Sequence, residues 1–346
     1  MKRFILFYFI LFLVNSAYAV RVNSIYQAAV PVTSQLAQER EKAIPSGLMQ
    51  VFVKVSGKTS IADNPDLKSH LSKSTALMQE YGYTSNSTNT QMPYLLTVRY
   101  NTEGVNQLLR NANVPIWGVD RPLILAWVDI EVPNKPAEII DAGSETDIPN
   151  ALKQRAMQRG LPMLLPMMDV TDLNLVSVND IATMTAPNLV SAAKRYASDA
   201  ILIARVFPTA TGFSVQAKLL LGTDSWDWNL SENNLTRLME NLVDNMTDTL
   251  ALRYSSVTTN TTQTHLTVKI TGVTQQNDFA DLMRYVQHMT SVISAEPMKI
   301  SGDNVVLSIN LHGTNDAFVK AISLDKKLTP VADGTDGTIL VYQWNH

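Results

Sequence analysis

Residues 123–128 constrain this chain more than any other stretch, because they are apolar on both alternating faces. Leu123, Leu125 and Trp127 fall on one side, and Ile124, Ala126 and Val128 on the other. A strand with no polar face has to be covered twice, so it belongs in the middle of a sheet. It closes a longer unit, 114–129, that joins a helix end, a Trp-Gly turn and an Asp-Arg pair.

The first nineteen residues have the composition of an export leader. Lys2 and Arg3 supply the positive start, residues 4–14 an apolar core, and Ala17-Tyr18-Ala19 a small-x-small cleavage site after Ala19. Eleven apolar residues are fewer than the roughly 20 that span a bilayer, so the reading is a cleaved leader and a periplasmic chain from Val20 onward. The sequence holds no cysteine. This excludes disulfides, thiolate metal sites, a cysteine nucleophile and a lipidated cysteine, and leaves packed cores as the source of stability. Removing Lys2 and Arg3 takes the formal charge from −3 to −5. With no basic run, a nucleic-acid partner is not expected.

Strands alternate with helices throughout, which predicts an α+β or α/β protein of small tandem domains. A strand over 25–32 precedes a helix that Thr33 or Ser34 can cap. Pro45 and Gly47 predict a stop near Ala43, because an interior proline costs roughly 3 kcal/mol, and 50–55 then reads as a second strand. Asn64-Pro65 opens a helix to about 81, 93–100 is a third strand and 102–111 a short helix. The prolines and polar residues of 132–148 form a linker. A middle domain follows over 149–254, with a hairpin around 222–225 and a long helix capped by Ser231. A spacer at 255–264 leads to 265–346, whose βαββαβ order predicts a ferredoxin-like domain. The first domain is 20–131.

Candidate chemistry is sparse. Ser56-Gly57-Lys58-Thr59 resembles the end of a phosphate loop, but the glycine required five positions earlier is Phe52, so the reading is a turn. The histidines at 70, 265, 288, 312 and 346 show no metal spacing, and Asp169, Asp172 and Asp180 lack the pattern of a calcium loop. No cofactor or metal is expected. Trp117-Gly118-Val119-Asp120-Arg121-Pro122 keeps two readings. In one, Trp117 packs on the core and Asp120 and Arg121 pair with each other beside a chain reversal. In the other, Trp117, Asp120 and Arg121 form a partner-binding surface, since Trp and Arg are common interface anchors.

Ile25-Tyr26-Gln27-Ala28, Val53-Lys54-Val55-Ser56-Gly57, Asn64-Pro65 and Trp117-Gly118 with Arg121-Pro122 are the residues of a resemblance. So are Arg159-Gly160-Leu161-Pro162 and Arg195-Tyr196-Ala197-Ser198-Asp199-Ala200. With these, the chain resembles the bacterial envelope family called domain of unknown function 2066, over most of 22–230. The resemblance implies an envelope location and no assigned chemistry. Export, small modules and the missing catalytic motifs point to a non-enzymatic scaffold that binds another envelope component. The alternatives are a small-ligand binder and a polymer hydrolase using carboxylates such as Asp120 or Asp129.

Overall fold

The computed structural model describes residues 20–345 apart from 23, 88, 133, 256–262, 326 and 332–338. The expected leader, residues 1–19, lies outside the described residues. The chain is a mixed α+β protein with three sheets of three or more strands and a two-stranded ribbon, Val20–Arg21 against Asp120–Arg121.

The N-terminal sheet is antiparallel, with Tyr94–Tyr100 between Gln27–Val32 and Met78–Ser85. One helix, Ala37–Ser56, packs on it, running through both the stop expected near Ala43 and the strand expected at 50–55. Leu48, Val51, Phe52 and Val55 are fully buried at helical spacing, so burial along this face outweighs the proline penalty. Pro45 removes the donor for the carbonyl of Glu41, an exposed residue that water can serve. Tyr100 from the facing strand then reaches into the helix and donates its hydroxyl to the Ile44 carbonyl at 2.5 Å. Gly47 makes the room, since a Cβ there would lie 2.6 Å from the Tyr100 oxygen. The helix expected from 65 to 81 is also corrected. Only Pro65–His70 and Ser74–Leu77 are α-helical, and Met78–Ser85 is the edge strand.

The central sheet is ordered Asp224–Glu232, Gly212–Leu221, Ala200–Thr209, Ile124–Ile130, Glu138–Ile140, and Met163–Leu164 also pairs with Ile124–Ile130. Every residue of Ile124–Ile130 is buried. Ile124, Ala126, Val128 and Ile130 enter a core shared with helices Asp147–Arg159 and Leu235–Tyr254. Leu125 and Trp127 enter a second core on the opposite face, with residues of Val178–Ala182 and Ala186–Ala193. The double coverage follows from the two apolar faces. All the sheet partners of this strand lie beyond residue 131. The stretch read as a linker supplies one of them, and its Ile140 is fully buried. Asn234, not Ser231, caps the long helix, its side chain accepting from the Arg237 amide at 3.0 Å.

The C-terminal sheet runs Val292–Ser301, Asn304–His312, Gln263–Thr271, Leu340–Trp344, Leu328–Pro330. Its first half fits the expectation, with Asn304–His312 antiparallel to both neighbours. The second half does not. Leu328–Pro330 follows helix Asn315–Asp325 at the sheet edge, and the chain returns so that Leu340–Trp344 runs parallel to Gln263–Thr271. A ferredoxin-like sheet requires that strand to be antiparallel, so the ferredoxin-like topology is not shown.

Candidate functional site

The Trp117 turn meets the C-terminus of helix Ala37–Ser56. A helix end leaves carbonyls without partners and carries a partial negative charge. Gly57, at φ 71°, closes this one by donating its amide to the Val53 carbonyl at 2.9 Å. The Trp117 amide donates to the Val55 carbonyl at 2.8 Å. Arg121 donates from Nη2 to the Lys54 carbonyl at 2.8 Å and to the Trp117 carbonyl at 3.0 Å, and from Nε to the Gly118 carbonyl at 2.9 Å. Its guanidinium carbon stacks 3.8 Å from the centre of the Trp117 ring. Arg159 donates to the Gly57 carbonyl at 2.8 Å. The Ser56-Gly57-Lys58-Thr59 turn is therefore a helix C-terminus, ringed by carbonyls and closed to phosphate.

These distances place the sequence-predicted residues. Trp117 is 1 % exposed and Arg121 0 %. The surface position expected for Arg121 is corrected, because Nε and Nη2 donate to carbonyls inside the protein, while Nη1 is buried with no hydrogen-bond partner among the described residues. Asp120 is half-buried, on the ribbon with Val20–Arg21. Burial pulls the Arg121 guanidinium down to about 9, which leaves it charged at neutral pH. Burial, helped by Arg121, lowers the Lys54 ammonium to about 8, and its Nζ donates to the Gln27 carbonyl at 2.8 Å.

The residues that sequence reading missed are the charged rungs beside this turn. Arg155 forms a two-point pair with Asp244 at 2.8 and 2.6 Å. Arg159 reaches Asp244 and Asp248, each at 2.5 Å. Thr59 donates its hydroxyl to Asp248 at 3.0 Å. Two arginines four apart on one helix and two aspartates four apart on another were the available signal.

Asp129 lies on the second face of the central strand, 0 % exposed, and neither carboxyl oxygen has a hydrogen-bond partner among the described residues. Arg205, its cross-strand neighbour, is paired with Glu131. Burial pushes the Asp129 carboxyl up to about 7, against a partial opposing pull from Arg205. A sealed carboxyl cannot meet a polymer, so the geometry does not support the hydrolase alternative through Asp129.

The surface feature that stands out is a helix turned inside out. In Val170–Leu175, Asp172 is fully buried, while Val170 and Leu173 are 74 % and 62 % exposed. Asp172 accepts from Arg195 at 3.0 Å, from the Tyr196 hydroxyl at 2.5 Å and from the Met168 amide at 3.1 Å. Asp169 caps the helix and takes a two-point pair from Arg195, both bonds 2.6 Å, which holds its carboxyl far below the usual range. These acids pin a segment that exposes Val170, Leu173 and Leu175 beside Thr171 and Asn174, with Leu164 and Met167 exposed just before it. Ser177 caps the next helix, and the Asp180 carboxylate accepts from the Ser177 amide and hydroxyl. Among the described residues, no group of three His, Asp or Glu gathers as a metal site, and no helix is long and apolar enough to cross a membrane.

A family model described as a domain of unknown function (DUF8605) matches residues 19–118. This overturns the resemblance to domain of unknown function 2066. The match ends at Gly118, so it takes in only the first half of the Trp-Gly-x-x-Arg-Pro element on which that resemblance leaned. No curated protein and no solved structure is similar to the chain.

Proposed function

We propose that this is an exported, non-enzymatic envelope protein that binds another envelope component. The observation that carries the reading is the inverted helix Val170–Leu175. Several exposed apolar residues close together in sequence on a well-pinned segment mark an interaction surface more often than single ones do. Export rests on the leader composition. A tandem organisation is supported by apolar clusters that fall within 25–116, 117–251 and 266–344. We read the last unit as a rearranged split βαβ.

The test is site-specific photo-cross-linking from positions 167, 170 and 173 in cell envelopes, beside Leu173→Asp. The reading expects one dominant cross-linked component, lost in Leu173→Asp while stability changes by less than about 0.5 kcal/mol. An unchanged cross-link pattern in the variant, or recovery of chain that retains Met1 in the cytoplasm, would sink it.

One observation favours the small-ligand alternative. A groove of about 300 Å³ crosses the open face of the N-terminal sheet over Gly82, walled by Gln27, Glu80, Thr97 and Arg99. It lies wholly within the stretch that the family model matches.

A further inference from the structure

The Trp117 turn, the end of helix Leu235–Tyr254, the turn at 288–291 and helix Asn315–Asp325 meet around a cavity of about 40 Å³. Its lining includes Trp117, Gly118, Asp120, Tyr254, Thr290 and Ser291. Two of these residues carry buried polar atoms with no partner among the described residues, Trp117 Nε1 and Ser291 Oγ. Their side chains belong to residues only 1 % and 4 % exposed. The benzo edge of Trp117 rests on Gly57, where an added Cβ would come within 2.7 Å of Cε3, so the pyrrole edge with its N–H is turned away from the helix end.

We propose that this cavity is a water-binding site, in which ordered water accepts from Trp117 Nε1 and bonds to Ser291 Oγ. The turn at 288–291 is then joined to the Trp117 turn through a hydrated seam. Size and chemistry select the occupant. One water needs about 10–15 Å³ of such space, so the cavity takes between one and about three, and no organic ligand. An N–H donor and the Arg121 guanidinium stacked on the same ring disfavour a cation. The Asp120 carboxylate on the wall disfavours an anion. A neutral molecule that both donates and accepts fits all three. Two orphan polar atoms also distinguish this cavity from an apolar void, which stays dry.

The test uses the exported chain labelled with ¹⁵N at the tryptophan indoles, with the Trp117 signal assigned from its loss in Trp117→Phe. The proposal expects a cross-peak between the Trp117 indole proton and water, with the sign of a slowly exchanging, bound molecule. Ser291→Val, which removes one partner and fills space, should abolish it. Absence of the cross-peak in the unaltered protein, or its persistence in folded Ser291→Val, overturns the proposal. Should Ser291→Val fail to fold, a high-resolution crystal structure of the unaltered chain decides. An ordered oxygen within about 3.2 Å of both Nε1 and Oγ supports the site, and a dry or collapsed cavity refutes it.

Discussion

Arg121 and Asp129 are both sealed from solvent, but their surroundings treat them in opposite ways. Arg121 reaches three carbonyls and an indole face at a helix end that favours positive charge. Asp129 sits in the middle of a sheet, where the nearest guanidinium is taken by Glu131. A buried ionisable group is tolerated when hydrogen bonds replace its hydration, and otherwise it gives up its charge. The first group keeps its charge and organises the junction. The second keeps its proton through the weakly acidic range and is about half ionised at neutral pH.

The largest expected effect breaks the first half of this contrast. Arg121→Met keeps much of the apolar bulk but strands the Lys54, Trp117 and Gly118 carbonyls. Loss of such a buried charged partner costs about 3 to 5 kcal/mol. Urea unfolding measures it, and a cost under about 1 kcal/mol would show that the helix end is held by Gly57 and Trp117 alone. Arg121→Lys should fall between, because an ammonium cannot serve all three carbonyls or stack in the same way.

The second prediction concerns Asp129 and has the opposite dependence from a paired carboxylate. The folded carboxyl titrates at about 7 and the unfolded one near 3.9. Between these values the folded state binds more protons, so stability falls as pH rises through this window and is level above it. The loss amounts to up to about 4 kcal/mol. Asp129→Asn should remove that slope, read as the difference between the two proteins in urea midpoints from pH 4.5 to 8. Parallel curves would mean that the carboxyl ionises in the fold without penalty.

A third, smaller effect lies midway along helix Ala37–Ser56. Gly47→Ala should cost about 1 to 3 kcal/mol, because its Cβ meets the Tyr100 hydroxyl. In Tyr100→Phe the oxygen is gone, so the pair of changes should cost less than the sum, with a coupling of at least about 0.5 kcal/mol. Strict additivity would show that the hydroxyl and the glycine are independent.

Much of the secondary structure was legible because one period dominated locally. The strand Ile124–Ile130, the hairpin of Gly212–Leu221 with Asp224–Glu232, and the long helix Leu235–Tyr254 each present one clear apolar pattern. Helix Ala37–Ser56 was not legible. Val51, Val53 and Val55 fit a strand alternation, while Leu48, Val51, Phe52 and Val55 fit a helix, and Pro45 with Gly47 tipped the reading the wrong way. What settles it is the burial of Leu48, Val51, Phe52 and Val55 against a sheet whose central strand, Tyr94–Tyr100, comes from far along the chain. The candidate site was half legible. The Trp-Gly turn stood out, but the acceptors that draw Arg121 inward belong to Lys54, Trp117 and Gly118.

By itself the sequence determined what depends on neighbours a few residues apart: the twice-covered strand, the helical stripes, the turns and the composition of the leader. Only the tertiary structure decided where the charges went. It buried Arg121 against a distant helix end, left Asp129 without a hydrogen-bond partner among the described residues, turned Val170–Leu175 inside out and set Leu340–Trp344 parallel to Gln263–Thr271. A side chain's burial and charge depend on which groups lie within a few ångströms, and those groups come from parts of the chain that no local period connects.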